Sequence, residues 1–200
     1  MCNKIKNLND NYPIDIEKIA GIDYGSKKSG NTVICYQING ELNLLRSKKS
    51  EDADQWLHDI INSISVTHLF IDAPLSLPGI YTGNGDDYFY RKADRDLKAM
   101  SPMFIGGLTA RAMKFARDMT QKGISVFESY PAAYVKEEKL KGYKSEEPLA
   151  FAKKIYPEVV LSNINSMHHV DALICWLIGR NHITNKARKA GKSQEGIIYF

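Results

Sequence analysis

Lys18-Ile-Ala-Gly-Ile-Asp23 is a short apolar run that ends on a carboxylate and passes at once into the turn residues Tyr24-Gly25-Ser26. Its length and continuous hydrophobicity read as a buried strand. Outward from it, Thr32-Val-Ile-Cys-Tyr-Gln-Ile38 and the segment Leu42 to Leu45, separated by the Asn39-Gly40 turn signal, extend it into an antiparallel three-stranded meander. Asp52 to Ser65 then sets Trp56, Leu57, Ile60, Ile61 and Ile64 at helical spacing, and Thr67-His-Leu-Phe-Ile-Asp72 is a second buried strand with an acidic end. The order so far is βββαβ.

Pro74 and Pro78 open a long Gly- and Tyr-containing segment, about 74–106, that has no clear period and exceeds ordinary loop lengths. Leu108 to Gln121 reads as a helix closed by Gly123, and Ile124-Ser-Val-Phe-Glu128 as a strand stopped by Pro131. Residues 132–155 are charged and expected to be helical in pieces. Val170, Leu173, Ile174, Leu177 and Ile178 form a stripe at helical spacing that marks the last major helix. A basic stretch from Lys186 to Lys192 follows, and Glu195-Gly-Ile-Ile-Tyr-Phe200 could add a terminal strand. The expected organisation is one α/β domain over 18–200, with a long insertion at about 74–106. Residues 1–17, polar and Asn-rich, are expected to be a loosely held leader.

The chain's 200 residues suffice for one sizeable core, and 44% hydrophobic with 25% charged residues is ordinary globular composition. A net charge of +4 tolerates a polyanionic partner but falls well short of an obligate nucleic-acid binder. Cys2, Cys35 and Cys175 are odd in number and lack CxxC spacing, which argues against a structural zinc site and for a reducing compartment. With no apolar run of membrane-spanning length and no apolar signal core at the start, a cytoplasmic location without membrane contact is expected.

Asp23, Asp72 and Glu128 each close an apolar strand just before a Gly- or Pro-containing turn. Ligands of α/β sheets bind beyond the carboxyl ends of the parallel strands, so neighbouring parallel strands would bring these carboxylates together. Crowded carboxylates repel, and a hard cation such as Mg²⁺ or Mn²⁺ relieves the repulsion through oxygen ligands. Asp171, one position past the start of the apolar stripe, flanks the buried face of the last helix and could reach the sheet edge. His168, about one turn earlier, is a candidate ligand or proton shuttle. The plainer alternatives are a turn-forming Asp23, an Asp-Ala-Pro strand exit at Asp72, a polar strand exit at Glu128, a helix-start carboxylate at Asp171 and a solvated His168.

Gly21-Ile-Asp23-Tyr-Gly25, Ile71-Asp72-Ala-Pro74-Leu-Ser-Leu-Pro78, Glu128-Ser-Tyr-Pro131-Ala and His169-Val-Asp171-Ala-Leu stand in an order that resembles the domain of unknown function 429 family, predicted nucleases of ribonuclease H-like fold. The resemblance covers about residues 18–200, and Arg91-x-x-Asp94-Arg95-x-Leu97 is similar to that family's central motif. A wider similarity is to RuvC-type resolvases, whose last helix opens with Asp-x-x-Asp; here that position reads His168-His169-Val170-Asp171. The resemblance implies a mixed five-stranded sheet of order 3-2-1-4-5 with flanking helices, with Asp23 beside Asp72 and Glu128 next to Asp72.

It also implies metal-dependent hydrolysis of nucleic-acid phosphodiesters, in which Asp23 would bridge two Mg²⁺ or Mn²⁺ ions about 3.5–4 Å apart and Asp72 and Asp171 would complete their ligands. Glu128 or His168 would orient water or carry a proton. Candidate phosphate contacts are Lys27, Lys28, Arg91, Arg95 and Arg111. Against that role stands pairing within the domain, such as Arg91 with Asp94 or Arg95 with Asp96. Tyr81, Tyr88, Phe89 and Tyr90 are placed to stack on bases or to pack the long segment down. Two other functions compete. Gly21-Ile-Asp23-Tyr-Gly25-Ser26 also resembles the first phosphate loop of actin-like and sugar-kinase phosphotransferases, which use two such domains, so this chain would need a homodimer. A ribonuclease H-like module that binds without cutting is the third, with His168 in its favour.

Overall fold

The computed structural model describes residues 15–159 and 163–200. The expected leader falls mostly on residues 1–14, outside the described residues; within it, Ile16–Lys18 forms a 3-10 turn capped by the Asp15 side chain. The chain then builds β1 (Ile19–Asp23), β2 (Val33–Ile38), β3 (Glu41–Arg46), α1 (Ala53–Ser63) and β4 (His68–Asp72). After the insertion come α2 (Lys92–Leu97), α3 (Gly106–Gln121), β5 (Ser125–Ser129), α4 (Pro131–Glu137), α5 (Pro148–Ile155), α6 (Met167–Ile183), β6 (Lys189–Lys192) and β7 (Gly196–Tyr199).

The sheet has seven strands in the order β3-β2-β1-β4-β5-β7-β6. The expected five strands hold their order, and two more extend the sheet beyond β5. The terminal strand β7 pairs parallel to β5, and the basic stretch before it becomes β6, antiparallel to β7. β6 escapes a reading of hydrophobicity because Lys-Ala-Gly-Lys is an edge strand with exposed or half-buried residues. β1 to β3 form the antiparallel meander, while β1, β4 and β5 run parallel, with Asp23 level with Asp72.

Strand residues alternate between two cores. On one face Ala20, Ile22, Ile34, Leu69 and Ile71 pack on Leu57 and Ile61 of α1 and Phe115 and Met119 of α3. Helix α1 starts where Asp52 accepts hydrogen bonds from the Asp54 and Gln55 amides, and buries its residues at positions 53, 57 and 61, one stripe. The other face carries Ile19, Val33, Cys35 and Phe70 against α6.

Helix α6 differs from the one-faced helix its stripe suggests: every residue from His169 to Gly179 is buried. A helix apolar all round belongs inside, and this one lies between the sheet and Phe151 and Ala152 of α5. Two glycines permit its approach. A Cβ on Gly21 would stand 2.2 Å from the Trp176 amide nitrogen, and one on Gly179 would stand 2.5 Å from the Ile19 side chain. The β1 backbone therefore seats directly on the helix that carries Asp171.

The 74–106 insertion is also more ordered than its lack of period suggests. It contains a 3-10 turn at Gly79–Thr82 and helix α2, held to the body by Arg91.

Candidate carboxylate centre

Strand periodicity decides which acidic residues meet. Asp23 and Asp72 are directly opposite on neighbouring parallel strands, so their side chains leave the same face, toward α6. From the second turn of α6, Asp171 reaches this edge, and Asp72 is pushed well up by burial and then by the nearby carboxylates of Asp23 and Asp171. Asp171 is raised to about 6, first by burial and then by the charge of Asp23, against a hydrogen bond that pulls it down. Asp23 is likewise raised by burial, opposed by His168. Three carboxylates at one edge thus share a surplus affinity for protons or cations.

Each is engaged differently. His168 Nδ1 lies 2.7 Å from Asp23 Oδ2, and this contact lifts the imidazole above its ordinary value. Tyr143, in the link between α4 and α5, donates its hydroxyl to Asp171 Oδ1 at 2.6 Å. Asp72 accepts no such bond from a described side chain, and only the charge of Lys144 opposes the rise in its pKa. Lys144 and Arg46, both exposed, act on these carboxylates through their charge: Lys144 on all three, Arg46 on Asp23.

Glu128 departs from the expected convergence. It pairs in register with Ile71 rather than with Asp72, so period two turns it to the opposite face. There Arg91 meets it with two hydrogen bonds, 2.6 Å from Nη1 and 2.7 Å from Nη2. Arg91 also binds Asp94 through Nε at 3.0 Å and Nη2 at 2.6 Å, and its Nη1 donates to Ser76 Oγ. With 1% exposure and all three guanidinium nitrogens taken, Arg91 is an internal tie rather than a phosphate contact. The Leu75 amide donates to Glu128 as well, fixing the chain just after Asp72.

Three of the other basic candidates are paired too. Lys27 lies 2.9 Å from Asp52, Arg95 binds Asp87 rather than Asp96, and Arg111 grips Asp54 at 2.7 Å while stacking over Tyr24. Lys27 and Arg95 remain exposed, as does Lys28. Tyr143, Lys144 and Arg46 went unnoticed in the sequence because no local pattern links them to the acidic strands. Gly142-Tyr143-Lys144, a turn-like interruption between two helical pieces with a single aromatic residue, was the available signal.

A cavity of about 260 Å³ opens beside Asp23 and Asp72, walled by Tyr24, Leu108 and Tyr130. In kind, the donor set fits a hard divalent ion: three carboxylates, oxygen ligands throughout, mutually repelling. In position it is not preassembled, for among the described residues no three His, Cys, Asp or Glu side chains form a group that could hold a metal ion. No helix of the described residues is long and apolar enough to cross a membrane. No protein-family model matches the chain, and no curated protein matches it.

Proposed function

We propose that the chain is a metal-dependent nuclease of ribonuclease H-like architecture, hydrolysing phosphodiesters at the edge formed by β1, β4 and the start of α6. One observation carries the reading: Asp23 and Asp72 stand level on adjacent parallel strands with Asp171 beside them, each with its proton affinity raised, first by burial and, for Asp72 and Asp171, also by the neighbouring carboxylate charge. Such an arrangement costs stability unless a ligand repays it, which is the signature of a working site rather than of packing.

Asp23, Asp72 and Asp171 would hold Mg²⁺ or Mn²⁺. Bound there, the ion would supply the charge that stabilises a phosphorane-like transition state and an activated water. The chain's own groups supply the rest. His168, its Nδ1 hydrogen-bonded to Asp23 and its ring partly exposed, is placed to accept and return a proton at Nε2. Tyr143 holds one oxygen of Asp171 and so sets the direction of the other. Lys144 and Arg46 offer positive charge to a phosphate on the solvent side. Glu128 acts indirectly: gripped by Arg91, it anchors the Leu75 amide and thereby the exit of β4.

The test is cleavage of a panel of single-stranded, duplex, hybrid and branched DNA and RNA in Mn²⁺. Asp23→Ala and Asp72→Ala, checked for folding, should each abolish it. A second reading, a module of the same architecture that binds nucleic acid without cutting, is favoured by the lack of a preassembled ligand group among the described residues. It requires binding that survives both substitutions and is indifferent to metal.

A further inference from the structure

We infer that the cavity beside Asp23 and Asp72 receives one unstacked nucleobase, which makes unpaired rather than duplex nucleic acid the substrate. The inference rests on the nucleolytic reading above and adds the substrate class to it.

The cavity's size comes first. At about 260 Å³ it falls below the range of pockets for drug-sized ligands, so it suits one flat ring system and excludes a helix of any kind. Its chemistry comes second. One wall is aliphatic, built by Ala99, Met100 and Ile105 at the end of the insertion and Leu108 at the start of α3; Tyr24 and Tyr130 add aromatic surface. Asp23 and Asp72 border the same space. A nucleobase matches both surfaces, since it offers an apolar ring face and edge donor and acceptor groups that can pair with the Asp23 and Asp72 carboxyl groups in either protonation state. The charged residues deeper in, Arg91, Asp94 and Glu128, are satisfied by one another and make no demand on the ligand.

The surroundings give the strand a direction. Arg46 and Lys144 act on the carboxylates but do not line the cavity, so a phosphate held by them lies outside the space that takes the base. Among the cavity residues Met100 is 63% exposed, and elsewhere in the same insertion Phe104 and Phe89 are 62% and 55% exposed, their rings 6.0 Å apart. Exposed aromatic groups of this kind are what further bases of a strand stack on. A base inside a duplex must first be unpaired and unstacked to enter, whereas a base in a single strand, loop or end is already available.

The experiment fills the cavity without touching the acidic edge. Ala99→Trp occupies it, and Met100→Glu, at a largely exposed position that should fold regardless, places a negative charge at its mouth. Binding of short mixed-sequence single strands, the corresponding duplex, and a single strand with abasic sites is measured by anisotropy in Ca²⁺, with cleavage followed separately in Mn²⁺. The wild type should prefer the single strand to the duplex and to the abasic strand by about tenfold or more. Each variant should lose about that factor on the intact strand and almost nothing on the abasic one. Equal binding of duplex and single strand, or variants equally harmful to the abasic strand, overturns the inference. If Asp23-dependent cleavage persists in that case, the nuclease reading stands alone. The expected binding pattern with no cleavage of any substrate upholds the base pocket and removes the nuclease.

Discussion

Replacing Arg91 with Ala should cost the protein about 3–5 kcal/mol, because it removes the shared cation and leaves two buried carboxylates facing each other. Asp94 and Glu128 have side-chain exposures of 0% and 7%, so water cannot take over the role of the guanidinium. For a chain of this length each kcal/mol moves the thermal midpoint by about 2–4 °C, giving a fall of about 6–20 °C. The loss carries a pH signature. Burial already holds Glu128 above the usual carboxylate range, and Arg91 is what pulls it back down. Without Arg91 the folded-state pKa climbs further, so the variant takes up a proton at a higher pH than the wild type and recovers stability as pH falls. Urea unfolding from about pH 8 to about pH 5 should show the gap between variant and wild type narrowing. Arg91→Met combined with Asp94→Asn and Glu128→Gln should regain much of the loss, since no charge is then left buried. A deficit under about 1 kcal/mol, or one that stays constant across that pH range, would refute the reasoning.

Asp171→Asn keeps an acceptor for Tyr143 and removes a charge whose folded pKa is about 6. Because that pKa is raised, the wild type loses stability as pH rises from about 4 through 6, and in a chelator the variant should be more stable by about 1–3 kcal/mol above pH 7, an advantage that vanishes in acid. The same variant should lose Mn²⁺-dependent cleavage, which separates the two roles of the carboxylate. Mn²⁺ at a hundredfold excess over its dissociation constant should stabilise the wild type by about 2.7 kcal/mol and leave Asp23→Ala unmoved in calorimetry. Gly21→Ala pushes a methyl into the backbone of α6, 2.4 Å from the Ala172 carbonyl oxygen, and should cost at least about 3 kcal/mol. Gly107→Ala, where nothing lies within 4 Å, should instead stabilise by about 0.5–1 kcal/mol by urea unfolding.

Much of this arrangement was legible before any coordinates. The runs ending in Asp23 and Asp72 announced buried strands, and the helical spacing of Trp56, Leu57, Ile60 and Ile61 announced α1, because burial writes itself in hydrophobic period. Glu128 misled for a definable reason. Its strand was correctly placed, but whether it faced Asp72 or the opposite side depended on a one-residue register that strand chemistry alone leaves open. The pairing of Arg91 with Asp94 was legible from their three-residue spacing, whereas its second partner, Glu128, lies 37 residues away where no local pattern reaches. Helix α6 showed a stripe because its most apolar positions fall on one side, while Cys175, Trp176 and His169, buried elsewhere around it, carried no periodic signal. Tyr143 lies 28 residues before Asp171, and no local rule connects them.

The seating of α6 against Gly21 bears on when the carboxylate centre is complete. Asp23 and His168, joined by a hydrogen bond, are 145 residues apart in the chain. During synthesis at about 5–20 residues per second, β1 through β4 can pair long before α6 leaves the ribosome. Until then Asp23 and Asp72 lack Asp171 and His168, and the groove that α6 fills lies open along the β1 backbone. On the proposed function, a nascent or truncated chain without α6 lacks two of the groups assigned to the site, so that docking of the last long helix, rather than translation of the acidic strands, is the step that would complete it.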